Sequence, residues 1–292
     1  MKCAHCREDI VGEAIAYKGK SYCCQACAFE ASVRLGSMCG SRSTVEAGLR
    51  YERSHSAPDT GTSGSKICLV IAIDGPVAVG KSSVGRLLAQ RLGYQFVDTG
   101  AMYRALTWKA LQAGINPEDE AKLTALAART DIKLMPSERK RNGYRVLVDE
   151  ADATEEVRSP DVEAAVSVVS RIPAVRRQMV EKQRQLARKG GVVMVGRDIA
   201  TVVLPRADLK VFLTASPEER AQRRFRELKD AGKTADFEFV LRELKSRDNL
   251  DSTRRDSPLK PDADSKAIDT DKISLDEVVD RVYKLAQEGK CL

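Results

Sequence analysis

Residues 67–92, ICLVIAIDGPVAVGKSSVGRLLAQRL, read as a strand, a glycine-rich turn and a helix. Ile67 to Ile73 is a nearly unbroken apolar run with β-branched members, the pattern of a strand covered on both faces of a parallel sheet. Val84, Leu87, Leu88 and Leu92 then recur at helical spacing, and Gly93 supplies the stop. Between strand and helix lies Gly75-Pro76-Val77-Ala78-Val79-Gly80-Lys81-Ser82-Ser83, which fits the phosphate-loop pattern G-x(4)-G-K-[ST] in the context that pattern requires.

The residue types follow from the chemistry. Gly75 and Gly80 admit backbone conformations closed to other residues, so successive N–H groups can converge on phosphate oxygens. The helix N-terminus behind them adds about half a positive charge. Lys81 is placed to reach the β- and γ-phosphates, and the Ser82 hydroxyl to ligate Mg²⁺. A glycine turn with a surface lysine is the bland alternative, and the agreement of strand, loop and helix weighs against it. The loop implies a bound nucleoside triphosphate and leaves the acceptor open.

The chain has 292 residues and a net charge of +7, with 49 basic against 42 acidic side chains. The excess is spread along the chain, which argues against a nucleic-acid-binding arm. No apolar run approaches the roughly 20 residues that span a bilayer, and MKCAHCRED is no secretory leader. A cytoplasmic protein without membrane attachment is expected.

Six of the eight cysteines fall in the first 39 residues. Such a cluster in a cytosolic chain points to metal rather than disulfides. Cys3 and Cys6 form one knuckle; Cys23, Cys24 and Cys27 form a second cluster after an expected hairpin around Lys18-Gly19-Lys20. Four thiolates suit one tetrahedral Zn²⁺, with Cys3, Cys6, Cys23 and Cys27 the first choice, Cys24 the rival for the third place, and His5 and Cys39 possible substitutes. The YCCQACA segment, with the upstream knuckle and the YKGKS turn, resembles the zinc-finger part of small bacterial metallothioneins. Residues 1–40 are thus expected to be a zinc-binding module, residues 41–66, rich in Ser, Gly and Thr, a linker, and residues 67–292 the main domain.

Downstream, YQFVD at 94–98 reads as a second strand and Thr99 to Ala113 as a helix ended by Gly114. GPVAVGKSS followed by VDTGAMYRAL resembles bacterial cytidylate kinase, a family of nucleoside monophosphate kinases acting on CMP and dCMP. Later segments extend the resemblance. The alternation between Asp131 and Val157 suggests short antiparallel strands, as in the family's monophosphate-binding insert, here about residues 128–185. A helix starts near Pro173 with Arg176 in a P-x-V-R position. Strand Val192 to Val195 leads into GRDIATVV, where Ala200 stands for the family's glycine. Strand Leu209 to Leu213 precedes a helical pair, the family's lid, at about residues 217–250. SRDNLDSTRRDSPL matches an RDxxDxxR run with Arg247, Asp251 and Arg254. A last strand at Ala267 to Asp269 and a packing helix at Ser274 to Gln287 close the chain.

The resemblance implies an α/β fold: a three-layer P-loop architecture with helices on both faces of a parallel sheet, a small antiparallel insert and a helical lid. It implies ATP with Mg²⁺ as donor, Arg223 or Arg224 of the lid closing on the transferring group, and a monomer. Arg104, Arg197 and Arg254 are expected to grip the CMP phosphate, for which planar guanidinium groups are suited. Arg176, Asp198 and Ser167 are expected to read the cytosine edge, and Asp251 the sugar hydroxyl, with Thr99 nearby. In the structural alternative, Asp198 only pairs with Arg197, and Asp251 with Arg247 or Arg254. Two other functions stay open: another small-molecule kinase of this fold, of adenylate or shikimate type, or a metal-responsive nucleotide sensor without turnover. Keeping both phosphate clamps weighs against a sensor.

Overall fold

A computed structural model describes residues 68–137, 143–230, 232–254 and 256–288, together with two short strands near the N-terminus. The chain divides into two units, Met1–Gly64 and Ser65–Leu292. In the first, β1 (Ile15–Tyr17) and β2 (Lys20–Tyr22) pair antiparallel, with Tyr17 opposite Lys20, as the YKGKS turn suggested. The expected zinc ligands Cys3, Cys6, Cys23 and Cys27, their alternates Cys24, His5 and Cys39, and the 41–66 segment lie outside the described residues.

The second unit is built on a five-stranded parallel sheet: β3 (Val70–Asp74), β4 (Gln95–Asp98), β8 (Val192–Gly196), β9 (Leu209–Thr214) and β10 (Lys266–Asp269), in the spatial order β10-β9-β3-β8-β4. The phosphate-loop strand is central. Its regular ladder begins at Val70, later than the apolar run suggested, although the carbonyls of Cys68 and Leu69 still accept bonds from Gly191 and Val192.

Alternate side chains of the inner strands β3 and β8 feed two cores, which is why these two read as nearly continuous apolar runs. Ile71, Ile73, Val193, Val195, Val211 and Leu213 face one core, shared with α1 (Lys81–Leu92) and α8 (Leu275–Glu288). Ala72, Val97, Val192 and Met194 face the other, shared with α2 (Thr99–Gln112), α3 (Glu120–Arg129) and α5 (Pro173–Ala187). Three layers result, as expected.

Between α3 and α5 lies the antiparallel sheet β5 (Ile132–Pro136), β6 (Tyr144–Val148) and β7 (Ala151–Asp152), in that order, followed by α4 (Pro160–Val169). Two helices, α6 (Pro217–Asp230) and α7 (Phe237–Thr253), pack around Ala221, Val240 and Leu244. Among the described residues no helix is long and apolar enough to cross a membrane.

Candidate active site

Every parallel strand delivers its carboxyl end to the same edge of the sheet, the edge where α/β proteins bind ligands. After β3 the chain turns through Gly75 at φ 151° and Gly80 at φ 99°, with Ala78 also in the left-handed region at φ 59°. A Cβ on Gly75 would stand 2.3 Å from the Leu213 carbonyl oxygen, so no other residue fits there. Gly80 is the N-cap of α1 and no side chain caps the helix, which leaves its first amides for an anionic ligand. Lys81 is 7% exposed, and its ammonium donates to the Pro76 carbonyl at 2.5 Å. Burial first, and the Arg197 charge second, hold its pKa well below that of an ordinary lysine.

Ser82 Oγ donates to Asp98 Oδ2 at 2.9 Å. Asp98 ends β4 and caps α2 by accepting from the Ala101 amide at 3.1 Å; the Tyr144 hydroxyl donates to it at 3.1 Å. Burial pushes this carboxyl up, but Arg104, Ser82 and the Ala101 amide outweigh it and hold the group below the usual carboxylate range. Hydroxyl and carboxylate oxygens are the hard donors Mg²⁺ prefers. Among the described residues no group of three or more His, Cys, Asp or Glu is disposed to hold a metal, so a Mg²⁺ here would take its remaining ligands from phosphate and water.

A second group of charged side chains is carried by β8 and the turn after it. Arg197 Nε donates to Asp251 Oδ2 at 2.6 Å; Arg254 Nη1 lies 3.8 Å from Asp251 Oδ1, and Arg254 Nη2 3.9 Å from Asp198 Oδ1. Asp198 in turn pairs with Arg176, whose Nη1 donates to the Ser170 carbonyl at 3.2 Å. The alternating series Arg197, Asp251, Arg254, Asp198, Arg176 thus crosses from the strand end to α5. Asp198 pairs with Arg176 and Arg254, not with its neighbour Arg197, and Asp251 takes Arg197 as its nearest partner.

Burial raises the Asp251 pKa, but the surrounding arginines, Arg197 foremost, bring it below the ordinary value. A cavity of about 530 Å³ opens beside the series, lined by Arg171, Pro173, Arg254 and Asp256. Tyr103 also belongs here: the Arg176 guanidinium lies 5.7 Å from its ring centroid, and burial pushes the phenol up to about 12.

The remaining expected residues are placed as follows. Arg104, on α2, keeps a buried Nε without a hydrogen bond, as does Arg254 at Nη2. Thr99 Oγ1 donates to the Val195 carbonyl at 2.9 Å, tying α2 to the end of β8. Ser167 sits half-buried in the last turns of α4, three residues before the Ser170 that holds Arg176. On α6, Arg223 bonds Thr270 and Glu219, and Arg224 pairs with Glu227. Arg220, not singled out from sequence, is the α6 arginine bonded to the phosphate loop: it is 3% exposed, donates to the Val77 carbonyl at 3.2 Å and pairs with Asp248 at 2.7 Å. Ala200 has no positive φ, so alanine is tolerated where the resemblance expects glycine.

Asp74 and Asp98 were also not singled out as site residues. Their one signal is shared: each is an acidic residue ending an apolar strand, in IDG and VDT, at the ligand-binding edge of the sheet.

A phosphate loop and an arginine-rich wall at the same sheet edge are the arrangement of a P-loop phosphotransferase. A model of the family described as cytidylate kinase matches residues 71–288. The chain belongs to the cytidylate kinase family and is therefore a nucleoside monophosphate kinase. It is 48% identical over 220 residues to the cytidylate kinase of Pelotomaculum thermopropionicum, covering 75% of this chain and 96% of that one. It is 50% identical over 219 residues to that of Caldanaerobacter subterraneus (75% and 95% covered). The Bacillus subtilis cytidylate kinase is 45% identical over 220 residues (75% and 97% covered).

Proposed function

We propose that the chain transfers the γ-phosphoryl group of ATP to CMP and dCMP at the cleft between the phosphate loop and the Arg197–Arg176 series. The observation that carries this reading is the alternating charge series itself. Ligand-free, its arginines are neutralised by Asp198 and Asp251; an acceptor phosphate would take over Arg197 and Arg254, together with Arg104, whose Nε is already free. Asp251 would then be released toward the sugar hydroxyl. Asp198, oriented by Arg176, would accept from the exocyclic amine of cytosine, while uracil offers a carbonyl there and is repelled; Ser167 completes the reading of that edge.

Phosphoryl transfer needs positioning and charge neutralisation more than covalent help. Lys81 would exchange the Pro76 carbonyl for the donor phosphates, joined by the amides of residues 75–83. Mg²⁺ bound with ATP neutralises charge on the phosphate oxygens; Ser82 would hold it, with Asp98 behind. Arg223, or Arg224, would close on the transferring group, excluding water as the lid shuts. At the N-terminus, Cys3, Cys6, Cys23 and Cys27 would hold one structural Zn²⁺. Thiolates are the donors zinc favours, and the antiparallel hairpin between the two cysteine pairs supports that spacing. The reading carries with it a cytoplasmic monomer acting on free pyrimidine nucleotides, not on nucleic acid or membranes.

The test is ADP formation by the full chain with ATP and Mg²⁺ against a panel of CMP, dCMP, UMP and AMP. Turnover confined to CMP and dCMP is expected, and equal rates with AMP would overturn the assignment.

A further inference from the structure

Asp74 is the last residue of β3 and immediately precedes Gly75. It is 1% exposed, and no salt bridge to it is formed among the described residues. Both of its oxygens are used on backbone amides far away in sequence: Oδ1 accepts from Ile199 at 2.8 Å and Oδ2 from Ala200 at 2.7 Å. Those amides open the wide helical turn Ile199–Val203, whose N-cap residue is Asp198.

An aspartate at an N-cap ordinarily spends its carboxylate on the first free amides of the turn it caps. Asp198 makes no such bond. Asp74 supplies the cap from the neighbouring strand, and the Asp198 side chain is left to face Arg176 and Arg254. The turn is also tightly seated: a Cβ on Gly196 would meet Ile199 Cδ1 at 2.6 Å and Thr99 Oγ1 at 2.7 Å.

We propose that Asp74 is a positioning residue for the transfer: as a cap supplied from β3, it fixes the Arg197-Asp198 acceptor clamp against the donor loop that begins one residue later, and it frees Asp198 for the acceptor base. Donor and acceptor half-sites are thereby set in register by one side chain that touches neither nucleotide. Burying a carboxylate without an ion-pair partner is costly, and an asparagine would give one amide a partner and present its own N–H₂ to the other. The inference rests on the proposed function for its kinetic consequence, and on the two hydrogen bonds alone for its structural one.

Asp74→Asn in the full chain tests it. In the ligand-free protein, amide exchange in peptides spanning 197–203 should quicken. With CMP, kcat/KM should fall by roughly 10- to 100-fold, as expected of misplacement on the ångström scale. The dissociation constant for ATP, measured without acceptor, should stay at the wild-type value and also verifies that the variant is folded. Asp74→Ser, with a single acceptor, should give the same split if the amide variant is insoluble. Unchanged kcat/KM, or ATP affinity falling in parallel with kcat/KM, overturns the proposal, because Asp74 would then be dispensable or would merely support the phosphate loop. A wild-type chain inert toward CMP refutes the proposed function instead; exchange alone then decides, quickened exchange upholding the tie and unchanged exchange overturning it.

Discussion

Burial first, and the Arg197 charge second, depress the Lys81 pKa. An arriving polyphosphate would reverse that environment and favour the charged form. Lys81→Met should therefore cost on the order of 100-fold or more in kcat with CMP, by analogy with removal of a transition-state donor. The same change should leave the urea midpoint of unfolding unchanged or raised, because a desolvated charge is removed.

Asp198→Asn replaces an acceptor by a group that can donate to uracil. The ratio of kcat/KM for CMP over UMP should drop by at least about tenfold, measured with both substrates on one preparation.

Asp74 carries a pH signature. Burial, the largest influence, lifts its pKa from 3.8 to about 6, so the native state binds a proton more readily than the unfolded chain. The ionised form is penalised: relative to Asp74→Asn, wild-type stability should decline as pH rises from about 4 to about 6 and then level off. Roughly two pKa units correspond to about 3 kcal/mol, which urea unfolding across that range would resolve.

Among the elements, helices α6 and α7 are fastened at Arg220, which joins α6 to the phosphate loop at Val77 and to α7 at Asp248. Arg220→Ala leaves Asp248 without its partner and should destabilise the protein by about 2–3 kcal/mol, with little further loss on adding Asp248→Asn; a double-mutant cycle in urea checks both. Legibility also differed by element. The inner strands at 70–74 and 192–196 were readable because burial on both faces writes a nearly unbroken apolar run, whereas the edge strands QFVD at 95–98 and KAID at 266–269 are half-exposed and show only short apolar stretches. Helices α3 and α4 were not recognised. PDVEAAVSVV carries four valines in ten residues and reads as strand-like, yet it folds as a helix capped by Ser159, because packing outweighs a weak local preference. The arginines and aspartates of the site were visible as motif members, but their pairing was not: Arg197 and Asp251 meet across 54 residues, a distance no local pattern encodes.

For the whole molecule, the curated relatives are matched over 95–97% of their own length by 75% of this chain, and the family match begins at residue 71. The cysteine-rich segment thus lies outside what those relatives have in common with this chain. Elemental analysis of protein prepared under reducing conditions should find one zinc per chain. Stripping it with a chelator and then restoring Mg²⁺ should leave CMP turnover unchanged, since the transfer draws on residues after 71.

The order of the parallel sheet bears on how the chain is made. Although β3 and β4 are consecutive, β8 lies between them, and Asp74 finds its ladder partner only at Gly196. At a ribosomal rate of about 5–20 residues per second, the interval between those two residues lasts roughly 6–25 s. Throughout it β3, whose last four residues are buried in the finished fold, has neither of its sheet neighbours. A chain of this topology closes the sheet around β3 only after β8 and then β9 have been made.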